Sequence, residues 1–282
     1  MSPPPPRPPA PPRRAAGLAV VALALACAED APAPAPRPPA PREAAGVPPA
    51  PAGPDPTVDQ ALHPELREAY ALLARGEHDL ARQRLRAATV PASHRHQVDF
   101  LIGVTHHEAK DYAAARPWLE RALRAQPAYA PPWHFYGYCR YYLGDLEAAR
   151  AAFATHLRLE PDEPDSHFGL GLVAVEEHRL DDAAARFETA RRGHAEAMAK
   201  DPARAREVAK CLAWQGELAE RAGALEDARA RYEEALRLWP DHYEVWHKLH
   251  RVLARVGDEQ GSLRALRQHD RVRDRLRPRP GS

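Results

Sequence analysis

A short pattern returns along this chain at a fixed spacing, and that spacing restricts the fold more than any other feature. Segments 75–81, 110–115, 143–149, 179–183, 222–228 and 256–262 align, and each closes on a small residue: Ala81, Ala115, Ala149, Ala183, Ala228 and Ser262. The steps between these residues are 34, 34, 34, 45 and 34. A unit of that size cannot bury a core alone, so a fixed period implies copies stacked on one another, each covering its neighbour's apolar face.

A second register confirms the first. Twelve positions before the small residue stand Gly103, Gly137, Gly171 and Gly216, with Ala69 and His250 departing in the end units. Glycine inside a helix costs about 1 kcal/mol relative to alanine, so four in one register require a packing reason, and close approach of a paired helix supplies it. Four positions after the small residue comes a large apolar one: Leu85, Leu119, Phe153, Phe187, Tyr232 and Leu266. Three further on is Ala88, Ala122, Ala190 or Ala235, with His156 and His269 as exceptions. Small against large suits two antiparallel helices, and Leu123, Leu157 and Leu236 extend the apolar stripe. Pro127, Pro161 and Pro240 end the second helices.

This period and pattern resemble the tetratricopeptide repeat, with Trp133 and Trp246 at that family's tryptophan position in the first helices. The resemblance covers residues 62–276 and implies an all-α fold: a right-handed α-solenoid of six helix–turn–helix units. Their approximate limits are 62–95, 96–129, 130–163, 164–203, 204–242 and 243–276, with 277–282 as a tail. The 45-residue step lies between the fourth and fifth units. There, 187–200 reads as one unbroken helix, and Asp201 and Pro202 read as an N-cap followed by a first-turn proline. A long hairpin around 187–222 that projects past the edge of the solenoid is the expectation.

In the family the first helices line a concave binding surface. Carried onto this register, the resemblance assigns Leu66, Tyr70, Leu73, Phe100, Val104, His107, Glu108, His134, Tyr138, Tyr141, Tyr142, Phe168, Leu172 and Glu176 to that surface in the first four units. In the last two units it assigns Lys210, Glu217, Glu220, Arg221, Glu244, His247, Arg251 and Arg255. The surface is thus aromatic at one end and charged at the other. Tyr70, Phe100, His107, His134, Tyr138, Tyr141, Tyr142 and Phe168 are the candidate partner-binding residues, because polar-tipped aromatics give large contact area at small entropic cost. The partner expected is an unidentified protein or peptide. Leu66 and Tyr70 replace the lysine and asparagine clamp of chaperone-binding members, which argues against that ligand.

Before the repeats the chain changes character: 19 of its 31 prolines fall in the first 56 residues. Arg13 and Arg14 precede a twelve-residue apolar run, 15–26, that ends at Cys27. At 1.5 Å per residue this run spans about 18 Å, short of the roughly 30 Å hydrocarbon core, and fits a cleaved secretory signal. Residues 23–27 resemble the lipobox of bacterial lipoproteins, which makes Cys27 the lipid-attachment residue and implies a membrane anchor in the cell envelope. An ordinary signal peptide with a secreted product is the alternative. Residues 28–61, rich in proline and alanine, read as a linker; within it 31–56 favour extended polyproline II, a tether able to span up to about 80 Å.

With 40 basic and 39 acidic residues the net charge is +1, so no nucleic-acid partner is expected. The exception to even charge is 263–276, which carries Arg264, Arg267, Arg271, Arg273 and Arg275 against Asp270 and Asp274. It reads as a capping helix with a basic, solvated outer face, contact with anionic lipid or nucleic acid being the alternative. No nucleophile elbow, phosphate-binding loop or paired-carboxylate motif is present, no cofactor is implied, and the chain reads as a non-enzymatic scaffold. Two other functional classes compete with that reading. One is a glycan or small-ligand module using Tyr138, Tyr141, Tyr142 and Phe168; the other is a metal-dependent enzyme at His107, Glu108 and His134. Cys139 and Cys211 sit two units apart and are expected to be small core residues.

Overall fold

The computed structural model describes residues 62–277. The signal, Cys27, the linker of 28–61 and residues 278–282 of the tail lie outside the described residues. Among those described there are twelve α-helices and no strand. They are α1 (Arg67–Ala74), α2 (His78–Ala87), α3 (Arg95–Glu108), α4 (Tyr112–Ala125), α5 (Pro131–Tyr142) and α6 (Leu146–Leu159). Then follow α7 (Pro164–Glu176), α8 (Leu180–Met198), α9 (Ala205–Arg221), α10 (Leu225–Leu238), α11 (Tyr243–Arg255) and α12 (Glu259–Leu276). Odd- and even-numbered helices pair into six antiparallel units, and each second helix also packs on the first helix of the next unit. The all-α solenoid expected from the period is the fold observed.

The turn inside each unit has one conformation. Gly76, Lys110, Gly144, His178, Gly223 and Gly257 all have positive φ, between 58° and 84°. The following amide donates to a carbonyl five residues back, as in Glu77 N to Leu72 O (3.0 Å), Asp111 N to His106 O (2.9 Å) and Asp258 N to Leu253 O (2.9 Å). This is the Schellman closure, which satisfies carbonyls that a helix end leaves open. The next helix is then capped by aspartate in three units: Asp111, Asp145 and Asp258 each accept from the backbone amide three residues on. Lys110 and His178 hold a left-handed conformation that costs an L-residue roughly 1 kcal/mol. Lys110→Gly is therefore expected to raise stability by roughly 0.5–1 kcal/mol in urea titration, and an unchanged or lower midpoint would contradict this account of the turn.

The second helices bury a stripe with helical spacing, shown by Ala115, Leu119, Ala122 and Leu123 in α4 and by Ala149, Ala152, Phe153 and His156 in α6. In the four middle units the helical glycine of the same unit lies opposite the large member. A Cβ built on Gly103 would stand 2.8 Å from Leu119, and one on Gly171 would stand 2.6 Å from Phe187. On Gly137 and Gly216 it would stand 2.7 Å from Phe153 and Tyr232 respectively. Phe153 is gripped twice, because a Cβ on Gly169 of the next unit would meet its ring at 2.4 Å. Trp133 and Trp246 donate their indole N–H to Pro127 O (2.9 Å) and Pro240 O (2.8 Å), tying two first helices to the proline that closes the preceding unit.

The inserted residues lengthen α8 to 19 residues and give α9 17, as the 45-residue step requires. They do not form a free ridge. The buried stripe of α8 continues from Ala183, Phe187 and Ala190 to His194, just past the point at which α4, α6 and α10 end. Gly193 lies against Pro164 at the start of α7, with 3.0 Å left for an added Cβ, and Ala195 and Met198 pack against the C-terminal apolar cluster. A polar turn held by Asp201, which accepts from Ala203 N, then leads into α9. Cys139 and Cys211 are buried free thiols, and burial pushes Cys139 up to about 12, so both are packing residues.

Candidate functional site

The first helices α1, α3, α5, α7, α9 and α11 carry the residues expected to face a partner, and the structure divides those residues into two groups. Leu66, Tyr70, Leu73, Phe100, Val104, His107, Tyr138 and Leu172 are interior. His134, Tyr141, Tyr142, Phe168 and Glu176 keep part of their surface, as do Glu108, Lys210, Glu217, Glu220 and Glu244, while Arg221, His247, Arg251 and Arg255 are exposed. Four of the eight candidate binding residues, Tyr70, Phe100, His107 and Tyr138, are thus structural.

The reason is that these aromatics reach into the next unit rather than out to solvent. Phe100 packs edge-on against Tyr129 and Phe135, at 5.5 and 5.6 Å between ring centroids. His107 contacts Tyr112 (5.4 Å), Phe135 (5.2 Å) and Tyr138 (6.4 Å), and its Nδ1 lies 3.3 Å from Glu108 Oε1. Tyr138, 1% exposed, donates its hydroxyl to Asp165 O at 3.1 Å, crossing from α5 to α7. Burial lifts that hydroxyl well above its ordinary range. A ligand stacking on Tyr138 is therefore ruled out by position. Among the described residues no group of three His, Cys, Asp or Glu side chains is placed to hold a metal ion.

What remains near the surface is a tyrosine cluster. Tyr112 and Tyr142 stack at 4.3 Å with 14° between ring planes, and Tyr141 meets Tyr142 edge-on at 5.3 Å. Burial, followed by the nearby carboxylates of Glu176 and Glu217, raises the Tyr141 hydroxyl, so it stays a neutral donor. Phe168 lies one unit further along, with its ring 5.3 Å from that of Phe187. Beyond it the charges of α9 and α11 pair with one another. Glu217 takes Lys248 (2.5 Å) and Arg221 (2.6 Å), and Glu220 takes Arg251 (2.9 Å) and Arg255 (3.2 Å). A charged end that pairs internally offers a partner less net attraction than its composition suggests.

Sequence reading missed one assembly altogether, a polar joint around the start of α7. Ser166 Oγ lies 2.7 Å from His156 Nδ1 and 3.5 Å from His134 Nδ1. His194 Nε2 lies 3.4 Å from Asp165 Oδ1, with Arg204 at 4.0 Å from the other oxygen. Burial alone would raise Asp165, but the hydrogen bond from His194 and the charges of His194, His134 and Arg204 hold it below the usual carboxylate range. Burial pushes His134 down to about 4 and His156 to about 3, so both rings are neutral near pH 7. The one sequence signal for this joint was His156, which breaks the column of alanines. Tyr112 and Lys248 were also missed, because Tyr112 opens a second helix and Lys248 is one position past the expected His247.

Paired antiparallel helices repeated at this spacing, with partly exposed aromatics on the first-helix face, define a helical-repeat protein. The chain belongs to the tetratricopeptide repeat family: one model of that repeat matches residues 66–130 and 171–243, and a second matches 106–170. Repeats of this family generally mediate protein binding. No curated protein matches the chain. Among solved structures, the Cut9–Hcn1 hetero-tetramer of APC/C is similar at a TM-score of 0.64 and 16% identity, over 77% of this chain and 42% of that one. PilW, a type IV pilus biogenesis factor, gives 0.55 and 17% over 64% and 79%. A thermophilic repeat protein of Thermus thermophilus gives 0.52 and 19% over 70% and 99%. At these identities the likeness concerns the fold.

Proposed function

We propose that this protein is a non-enzymatic scaffold, tethered to the bacterial cell envelope through Cys27, that binds a segment of another protein on its first-helix face. The observation that carries the binding reading is the partly exposed group of Tyr141, Tyr142 and Phe168 beside Glu176. These rings offer apolar area on rigid helices, where little entropy is lost on contact. The envelope reading rests on the apolar run, Cys27 and the proline-rich linker.

Both halves are testable in cells. A photo-crosslinking residue at Tyr141 or Phe168 is expected to capture a discrete protein, whereas the same group at Arg150, exposed on the second-helix side, is not. Equal capture at all three sites would refute the first-helix face. Tyr141→Ala is expected to weaken that complex about tenfold or more, the loss typical of a buried interface aromatic. Labelling by a palmitate analogue is expected to vanish in Cys27→Ala, and persistence of the label would remove the anchor.

A further inference from the structure

The terminal helix has more basic than acidic residues, and only some of its arginines are paired. In α12, Asp270 and Asp274 pair with Arg273, and Arg275 reaches Asp241 before α11. Arg264, Arg267 and Arg271 enter no ion pair among the described residues, and all three are exposed. Their spacing of three and four places them in one row along the helix. Leu263, 53% exposed, stands beside that row on the outward arc. The opposite face of α12, with Ser262, Ala265 and Val272, is buried against the preceding helices, so the arginine row is held rigidly outward.

We propose that this row is a docking surface for an anionic membrane. Guanidinium groups bind phosphate oxygens in pairs, and each basic side chain near an anionic bilayer adds roughly 1 kcal/mol of attraction. An exposed leucine among them is what an interfacial helix inserts below the headgroups. Leu263 is the one apolar residue on this arc, so attraction there is chiefly electrostatic. This contact is independent of the first-helix face, since α12 is a second helix. Weak by itself, it would add to any other attachment of the same chain by raising the effective concentration at the surface.

The test is flotation of the full chain carrying Cys27→Ala with vesicles of 30% phosphatidylglycerol in phosphatidylcholine and of phosphatidylcholine alone. Three chains are compared: that background, the same with Arg264→Gln, Arg267→Gln and Arg271→Gln, and one with Arg86→Gln, Arg150→Gln and Arg237→Gln. The last loses equal charge from scattered exposed sites. Removing the row is expected to lower partitioning onto anionic vesicles by roughly 100-fold at low salt. The scattered variant is expected to stay within about threefold of the background, with thermal melts matching in all three. The N-terminal segment is common to all, so only the differences count. Equal binding by the row variant and the background overturns the proposal, and so does an equal loss in both triple variants. Salt-sensitive binding of duplex DNA through the row, without a vesicle difference, would also overturn it by assigning the row to nucleic acid.

Discussion

Gly137→Ala is expected to destabilise the protein by about 2–3 kcal/mol, where the same change in an open helix would add about 1 kcal/mol of stability. The sign reverses because the new Cβ would stand 2.7 Å from the ring of Phe153, a fully buried side chain with no room to retreat. Behind that ring is Gly169, whose own Cβ would lie 2.4 Å away, and Tyr138 meets it edge-on at 4.9 Å. Gly169→Ala is expected to behave likewise. For a chain of this size each kcal/mol lowers Tm by about 2–4 °C, so the shift is readable in a simple melt. Phe153→Leu should rescue: combined with Gly137→Ala it should cost less than the sum of the single changes, a coupling of about 1 kcal/mol or more. If Gly137→Ala melts at or above the parent, the close approach has been misread.

Acid is expected to weaken the fold well above the ordinary carboxylate range. Burial, the leading cause in each case, depresses His134 to about 4 and His156 and His242 to about 3, below the ordinary value of 6.5. A buried neutral histidine is harmless above pH 6.5. As pH falls through that value the unfolded chain takes up protons that the folded chain refuses, and stability drops until the folded pKa is reached. At pH 5 the loss is about 2 kcal/mol per ring. Glu163, pushed up to about 7 by burial and by Asp165, acts in the opposite sense over pH 4.5–7 and returns about 2 kcal/mol. Asp165, held below its usual range, matters only under about pH 4. The net loss from pH 7 to pH 5 over these four groups is roughly 4 kcal/mol. In His134→Phe, with Ser166 still bonded to His156, the loss over that interval should shrink by about 2 kcal/mol. Urea midpoints at the two pH values decide it, and an unchanged difference would clear His134 of this role.

The fold was legible because its determinants recur. One glycine facing one ring is weak evidence, but Gly103, Gly137, Gly171 and Gly216 in one register leave a single physical reading. The binding face was legible only in part, because a register states which side of a helix a residue occupies and not how far its side chain reaches. Tyr138 and Tyr141 are both first-helix aromatics. The hydroxyl of Tyr138 ends on Asp165 O in the next unit, while Tyr141 keeps part of its surface. That depends on the height of α7 beside α5, which no residue of α5 encodes. His194 escaped for a related reason: its counterparts Gln126 and Glu160 are the residues that close α4 and α6, so the register placed no buried side chain there.

Phe153 touches the glycine of its own unit and that of the next, so its girth sets the pitch between α5 and α7. Tyr141 rides on one of those helices and Phe168 on the other. The gap between two rings that a partner would grip is therefore gauged by a side chain that no partner touches. A smaller or larger residue at that point would change the curvature of the face while leaving its surface chemistry intact. Which ligands an array of this kind accepts can thus drift through its interior, one wedge at a time.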